Sequence, residues 1–153
     1  MKGKSEKVIK IILWIIFTMY IVMLFYFMFF SERYGRTLNK SSYNYNLEPF
    51  REIKRFWNYR NILGFESVFL NLFGNVVAFI PFGVMLPILS ARRRNFFLVT
   101  LLTFEFSILI EVTQLFTRAG SFDVDDLILN TAGGSLGYLV YLVIKFLVKR
   151  WRK

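Results

Sequence analysis

Four stretches of the chain are almost free of charge, and each is long enough to cross a bilayer. The first runs from about residue 8 to 30, has no charge after Lys10, and closes on the aromatic string Tyr26-Phe27-Met28-Phe29-Phe30. A bilayer span needs roughly 20 apolar residues, and aromatic rings favour its interface, so this run reads as an uncleaved anchor helix. Residues 31–67 then turn polar, with seven basic and four acidic side chains and no sustained periodicity, and read as the main extramembrane loop. Within that loop Leu47-Glu48-Pro49-Phe50 predicts a turn, and Arg51 to Trp57 a mildly amphipathic segment lying along the surface.

The second apolar stretch, about residues 68–89, contains Asn71, Gly74, Asn75, Pro81, Gly83 and Pro87 but no charge. Proline removes a backbone donor and crowds the preceding turn, which predicts a kinked or broken span. The third, about 96–116, carries Glu105, Glu111 and Gln114 and ends near Arg118. The fourth, about 127–148, follows Asp123, Asp125 and Asp126 and runs into Lys149, Arg150, Arg152 and Lys153. The fold class is therefore all-α: a polytopic membrane protein, a small bundle of four transmembrane helices, with residues 1–153 as one membrane domain and no internal repeat.

Composition agrees with that pattern, because 56% hydrophobic and 20% aromatic residues and a mean hydropathy of +0.46 lie outside the range of ordinary soluble domains. The formal charge of +10 falls in short clusters between apolar runs, so it reads as membrane orientation and not as a nucleic-acid surface. Four passes put Lys2, Lys4 and Lys7, the triple Arg92-Arg93-Arg94 and the basic tail on one side. By the positive-inside rule that side, with both termini, is cytoplasmic, although the mixed-charge first loop opposes it.

With neither cysteine nor histidine, the chain can build no thiolate or imidazole metal site and no Ser-His-Asp triad. Carboxylates, amides, hydroxyls, Tyr, Lys and Arg remain. The four-pass threading places Asn71 and Asn75, then Glu111, Gln114 and Arg118, then Asp123, Asp126 and Asn130 at a similar depth in the outer leaflet, which predicts a shared ligand-binding site. Phe104, Ser107, Glu111, Gln114 and Arg118 follow helical spacing and share a face. Ionisable groups at membrane depth are costly unless paired or hydrated, so Glu111 and Arg118 belong either to a structural ion pair or to a functional cavity. The Asp123-Val124-Asp125-Asp126 run fits helix capping as well as a site. Gly133 and Gly137 form a small-residue pair suited to close helix packing, and self-association of copies is open.

Asn46-Leu47-Glu48-Pro49-Phe50, then Asn71-Leu72-Phe73-Gly74-Asn75 through Phe79-Ile80-Pro81-Phe82-Gly83, resemble the first part of the VanZ-like family. Glu111-Val112-Thr113-Gln114, Arg118, Phe122-Asp123-Val124-Asp125-Asp126-Leu127 through Asn130-Thr131-Ala132-Gly133-Gly134 and Gly137-Tyr138 resemble the rest of its signature in order and spacing. The linker Ala119-Gly120-Ser121 differs slightly from the family's usual spacing. The resemblance implies a bacterial cell-envelope membrane protein, with glycopeptide (teicoplanin) resistance known for the family's namesake. It supplies no reaction, cofactor or metal. Two readings follow: a non-enzymatic protein that binds a lipid-linked cell-wall precursor or another envelope lipid, or an enzyme on a lipid phosphate or glycolipid. In the enzyme, Glu111, Asp123 and Asp126 are the candidate catalytic or cation-holding carboxylates. A small transporter ranks third, since transporters usually carry internal repeats.

Overall fold

A computed structural model describes residues 2–30, 44–90 and 95–151. Arg33, Arg36 and Lys40 of the first loop, the triple Arg92-Arg93-Arg94, and Arg152 and Lys153 of the tail lie outside the described residues. The chain forms α1 (Lys2–Phe30), β1 (Tyr45–Asn46), α2 (Arg51–Asn58), α3 (Arg60–Leu63), α4 (Phe65–Leu89), α5 (Phe96–Thr117), β2 (Phe122–Asp123) and α6 (Val124–Trp151). Helices α1, α4, α5 and α6 are long and apolar enough to cross a membrane, and they coincide with the four expected spans, extended by a few residues at several ends.

Successive long helices run in opposite directions, so the C-termini of α1 and α5 and the N-termini of α4 and α6 gather at one end of the bundle. Aromatic rings fill its middle: Phe82 stacks on Phe106 with centroids 4.8 Å apart, and Phe79 is wholly buried beside them. Helices α4 and α6 form the closest pair, and glycine permits it. A Cβ at Gly83 would stand 1.9 Å from the Gly134 carbonyl oxygen, and one at Gly137 would stand 2.2 Å from that of Ile80. Without a hydrophobic force between helices in lipid, such backbone contact is a main source of association. Gly133 faces the Val76 carbonyl at 2.2 Å, so the small-residue pair is used inside the chain, between α6 and α4.

Of the two alternatives for the second span, kinked or broken, the broken one is excluded: α4 continues as helix through Pro81 and Pro87. The Tyr20 hydroxyl of α1 donates to the Ala78 carbonyl, 2.6 Å away and one turn ahead of Pro81. A cross-helix donor of this kind compensates backbone disturbed by a proline ring at membrane depth.

Towards the gathered end the interior becomes polar. Thr103, Ser107, Glu111 and Gln114 are buried along α5, whereas Phe104 and Arg118, expected on that face, are exposed. The buried stripe centres on Thr103, Ser107, Glu111 and Gln114, and at roughly 100° per residue Phe104 falls at its edge.

Candidate functional site

The site is built where α5 ends and α6 begins. Arg118 closes α5 in the left-handed conformation, φ 55°, with its N–H directed to the Gln114 and Leu115 carbonyls. That geometry reverses the backbone and turns the Arg118 side chain out to an exposed position. Ala119 and Gly120 are buried in the turn, and Phe122–Asp123 then lies parallel to Tyr45–Asn46 of the first loop. A two-residue ladder is too short to hold by itself. Side-chain bonds complete the join.

Asp123 Oδ1 accepts from the Asp125 N–H at 2.9 Å, the N-cap arrangement of α6, and from Asn46 Nδ2 at 3.0 Å. The Asp123 N–H donates to Oε2 of the wholly buried Glu111 at 3.0 Å. Asp125 is also buried, yet caps a different helix. One of its oxygens accepts from the N–H of Phe50, the other from those of Glu52 at 2.7 Å and Ile53 at 3.1 Å. Phe50, the left-handed residue before α2 at φ 65°, has no side-chain cap of its own, so Asp125 supplies it from 75 positions away. These bonds are charge-assisted, and the carboxylate faces the positive end of the α2 dipole.

Docking of α2 against the ends of α4, α5 and α6 encloses a cavity of about 150 Å³. From α2 come Glu52, Ile53, Arg55 and Phe56; from α4, Asn71 and Leu72. Gln114 lines it from α5, Gly120 and Ser121 from the turn, and Asp123, Asp125, Asp126 and Leu129 from the final segment. Glu52 and Arg55 form an ion pair at 2.9 Å. Burial pushes the Asp123 carboxyl above the ordinary aspartate range, with the Asp125 charge adding, while the Asp125 N–H and the Asn46 amide oppose. Burial raises Glu52 as well, against the lowering effect of Arg55.

Among the residues singled out from the sequence, Asn71, Gln114, Asp123 and Asp126 meet in the cavity wall. Asn75 and Glu111 stand behind it: the Asn75 amide donates to Asp126, and Glu111 holds the Asp123 backbone. Asn130 sits deeper, donating to Ser107 Oγ at 2.9 Å, and Arg118 is outside the wall. The sequence reading missed Asn46, Glu52, Arg55 and the trans-capping role of Asp125. Glu52 and Arg55 left a faint signal, opposite charges three residues apart in the amphipathic segment. Among the described residues no three carboxylates converge in a way that could hold a metal ion.

The VanZ/LLP1 family profile matches residues 17–145. The chain belongs to that family. It is also 28% identical over 125 residues, 80% of this chain and 69% of the relative, to Protein VanZ of Enterococcus faecium. No solved structure matches. With four helices of spanning length, this VanZ/LLP1 member is a multi-pass membrane protein whose surroundings are a lipid bilayer. The matched region contains every residue that lines the cavity.

Proposed function

We propose that this VanZ/LLP1 protein is a single membrane unit of the cell envelope, with both termini in the cytoplasm. It holds the polar group of an envelope lipid or lipid-linked cell-wall precursor in the cavity at the outer end of its bundle. The observation that carries the reading is the cavity itself: charged and amide side chains from α2, α4, α5 and α6 surround one space at the end of the bundle where α5 stops and α4 and α6 start. Ionisable residues at such depth are costly and mark sites. Through this binding the protein contributes to glycopeptide (teicoplanin) resistance, the property associated with the family's namesake. The enzyme reading keeps Asp123 and Asp126 in the wall, but Glu111, its third candidate carboxylate, is engaged with the Asp123 backbone behind it.

Two measurements test the reading. The chain has no cysteine, so Leu47→Cys and Trp151→Cys, both at exposed positions, introduce single thiols at opposite ends of the bundle. An impermeant maleimide applied to intact cells should label Leu47→Cys alone; labelling of Trp151→Cys alone inverts the topology and removes the outer-leaflet site. In a glycopeptide-susceptible host, wild type should raise the teicoplanin inhibitory concentration and Asn71→Ala with Asp126→Asn should not, at equal membrane abundance. Equal resistance from both proteins would detach the cavity from function.

A further inference from the structure

Helix α4 carries a second concavity on the side away from the polar cavity. At roughly 100° per residue, Asn71 and Leu72 of the cavity wall face one way, while Phe69, Phe73, Val77 and Pro81 face the other. There a groove of about 430 Å³ lies between α1 and α4. Its floor includes the buried Leu24 and Met28, and its rims include the exposed Phe27, Phe73 and Val77. The side chains lining it are apolar apart from the Tyr20 hydroxyl, which donates to the Ala78 carbonyl at 2.6 Å and so joins the two helices. The groove starts near Phe69, in the second turn of α4, and closes at that bond, beside Pro81. From Phe69 to Pro81 the helix rises about 18 Å, at ~1.5 Å per residue. Half of a ~30 Å hydrocarbon core is ~15 Å, so the groove is one leaflet deep, on the side of the gathered end.

Independently of what the polar cavity holds, we propose that this groove seats one acyl chain of a lipid from the leaflet at the gathered end, held longer than the chains around the rest of the bundle. Length selects that occupant. A helix of a second copy or of a membrane partner crosses the whole ~30 Å core and packs closely where small residues line the contact. This groove stops halfway, and its rims carry phenylalanines. Its volume of about 430 Å³ compares with ~30 Å³ for one liquid water, a methylene being of similar size, which leaves room for about a dozen chain carbons. The holding force is not hydrophobic, since lipid tails are as apolar as leucine. It comes from dispersion contacts, which a chain lying between two helices makes on both sides and a chain on a flat face makes on one. Only 6% of the α1 span is buried inside the protein, against 39% of the α4 span, so a seated chain completes the packing between them.

The test is photolabelling of the full-length protein in phosphatidylcholine vesicles that contain a small fraction of phosphatidylcholine with a diazirine midway along one acyl chain. Labelled residues are mapped by peptide mass spectrometry. Labelling of Leu24, Met28 and Phe73 should exceed that of Leu101 and Leu109, exposed on α5, by roughly tenfold, one decade of binding preference. Gly74 lines the groove, so Gly74→Leu fills part of it and should remove the excess while Leu101 and Leu109 label as before. Equal labelling of the two sets in wild type overturns the proposal, because the chain in the groove is then ordinary lipid solvent. That ratio decides even if Gly74→Leu folds poorly. An excess that survives in folded Gly74→Leu overturns the groove as its seat. Protection of the groove from label, together with a dimer in native mass spectrometry, overturns the acyl chain in favour of a second copy.

Discussion

Replacing Asp125 with asparagine removes the charge that holds α2 against the bundle while barely altering side-chain volume. The carboxylate accepts three N–H groups, from Phe50, Glu52 and Ile53, and asparagine has one oxygen for them. At least one backbone donor must then face an amide N–H₂, forfeiting a bond to a charged acceptor of ~1.5–3 kcal/mol, and the remaining bonds lose their charge assistance, ~0.5–1 kcal/mol in all. The total is about 2–4 kcal/mol. An eight-residue helix is too short to persist in water alone, so undocking and unwinding of α2 are one event. Hydrogen exchange followed by mass spectrometry on the 49–58 segment reads that event directly. Exchange there should accelerate on the order of 100-fold in Asp125→Asn, since each ~1.4 kcal/mol is a factor of ten, while amides in the middle of α5 keep their protection. Unchanged exchange in 49–58 would show that α2 is held by other contacts, and the account of the cavity wall would lose its foundation.

Gly83→Ala should lower the thermal unfolding temperature in detergent by an amount matching about 1–3 kcal/mol, because its new methyl meets the Gly134 backbone. Gly120→Ala, whose nearest contact would be the Gln114 side chain at 3.4 Å, should stay within about 0.5 kcal/mol of wild type, and equal losses for the two would contradict the close α4–α6 approach. The pH dependence has a definite sign. Burial raises the Asp123 carboxyl above its ordinary 3.8 in the folded protein, so the cost to the fold develops as pH rises past that ordinary value, is complete above the raised one, and is absent when pH is low enough to protonate both states. Stability of Asp123→Asn relative to wild type should therefore improve as pH rises from about 4 to 7, and a decline over that range would refute the burial argument. Tyr20→Phe should cost about 0.5–1.5 kcal/mol through the donor lost to Ala78, again read by thermal unfolding.

The four spans were legible from the sequence because lipid imposes a one-dimensional rule: about 20 apolar residues, bounded by charges and aromatics. The same threading brought Asn71, Gln114, Asp123 and Asp126 to one level, since antiparallel neighbours of similar length align their ends. What it could not decide was direction around each helix axis. Arg118 lies at the expected depth but faces outward, because a left-handed residue ends α5, and that conformation depends on the turn packing beneath it. Nor could periodicity show that Asp125 caps a helix 75 positions earlier, or that Asn46 pairs with Asp123 across 77. Those bonds join segments with no local relationship, and a hydrogen bond is set by distances of tenths of an ångström that only the packed bundle determines. Chain chemistry alone thus specified the membrane solvent and the depth of the polar groups. Tertiary structure decided which of them hold the architecture and which line the cavity.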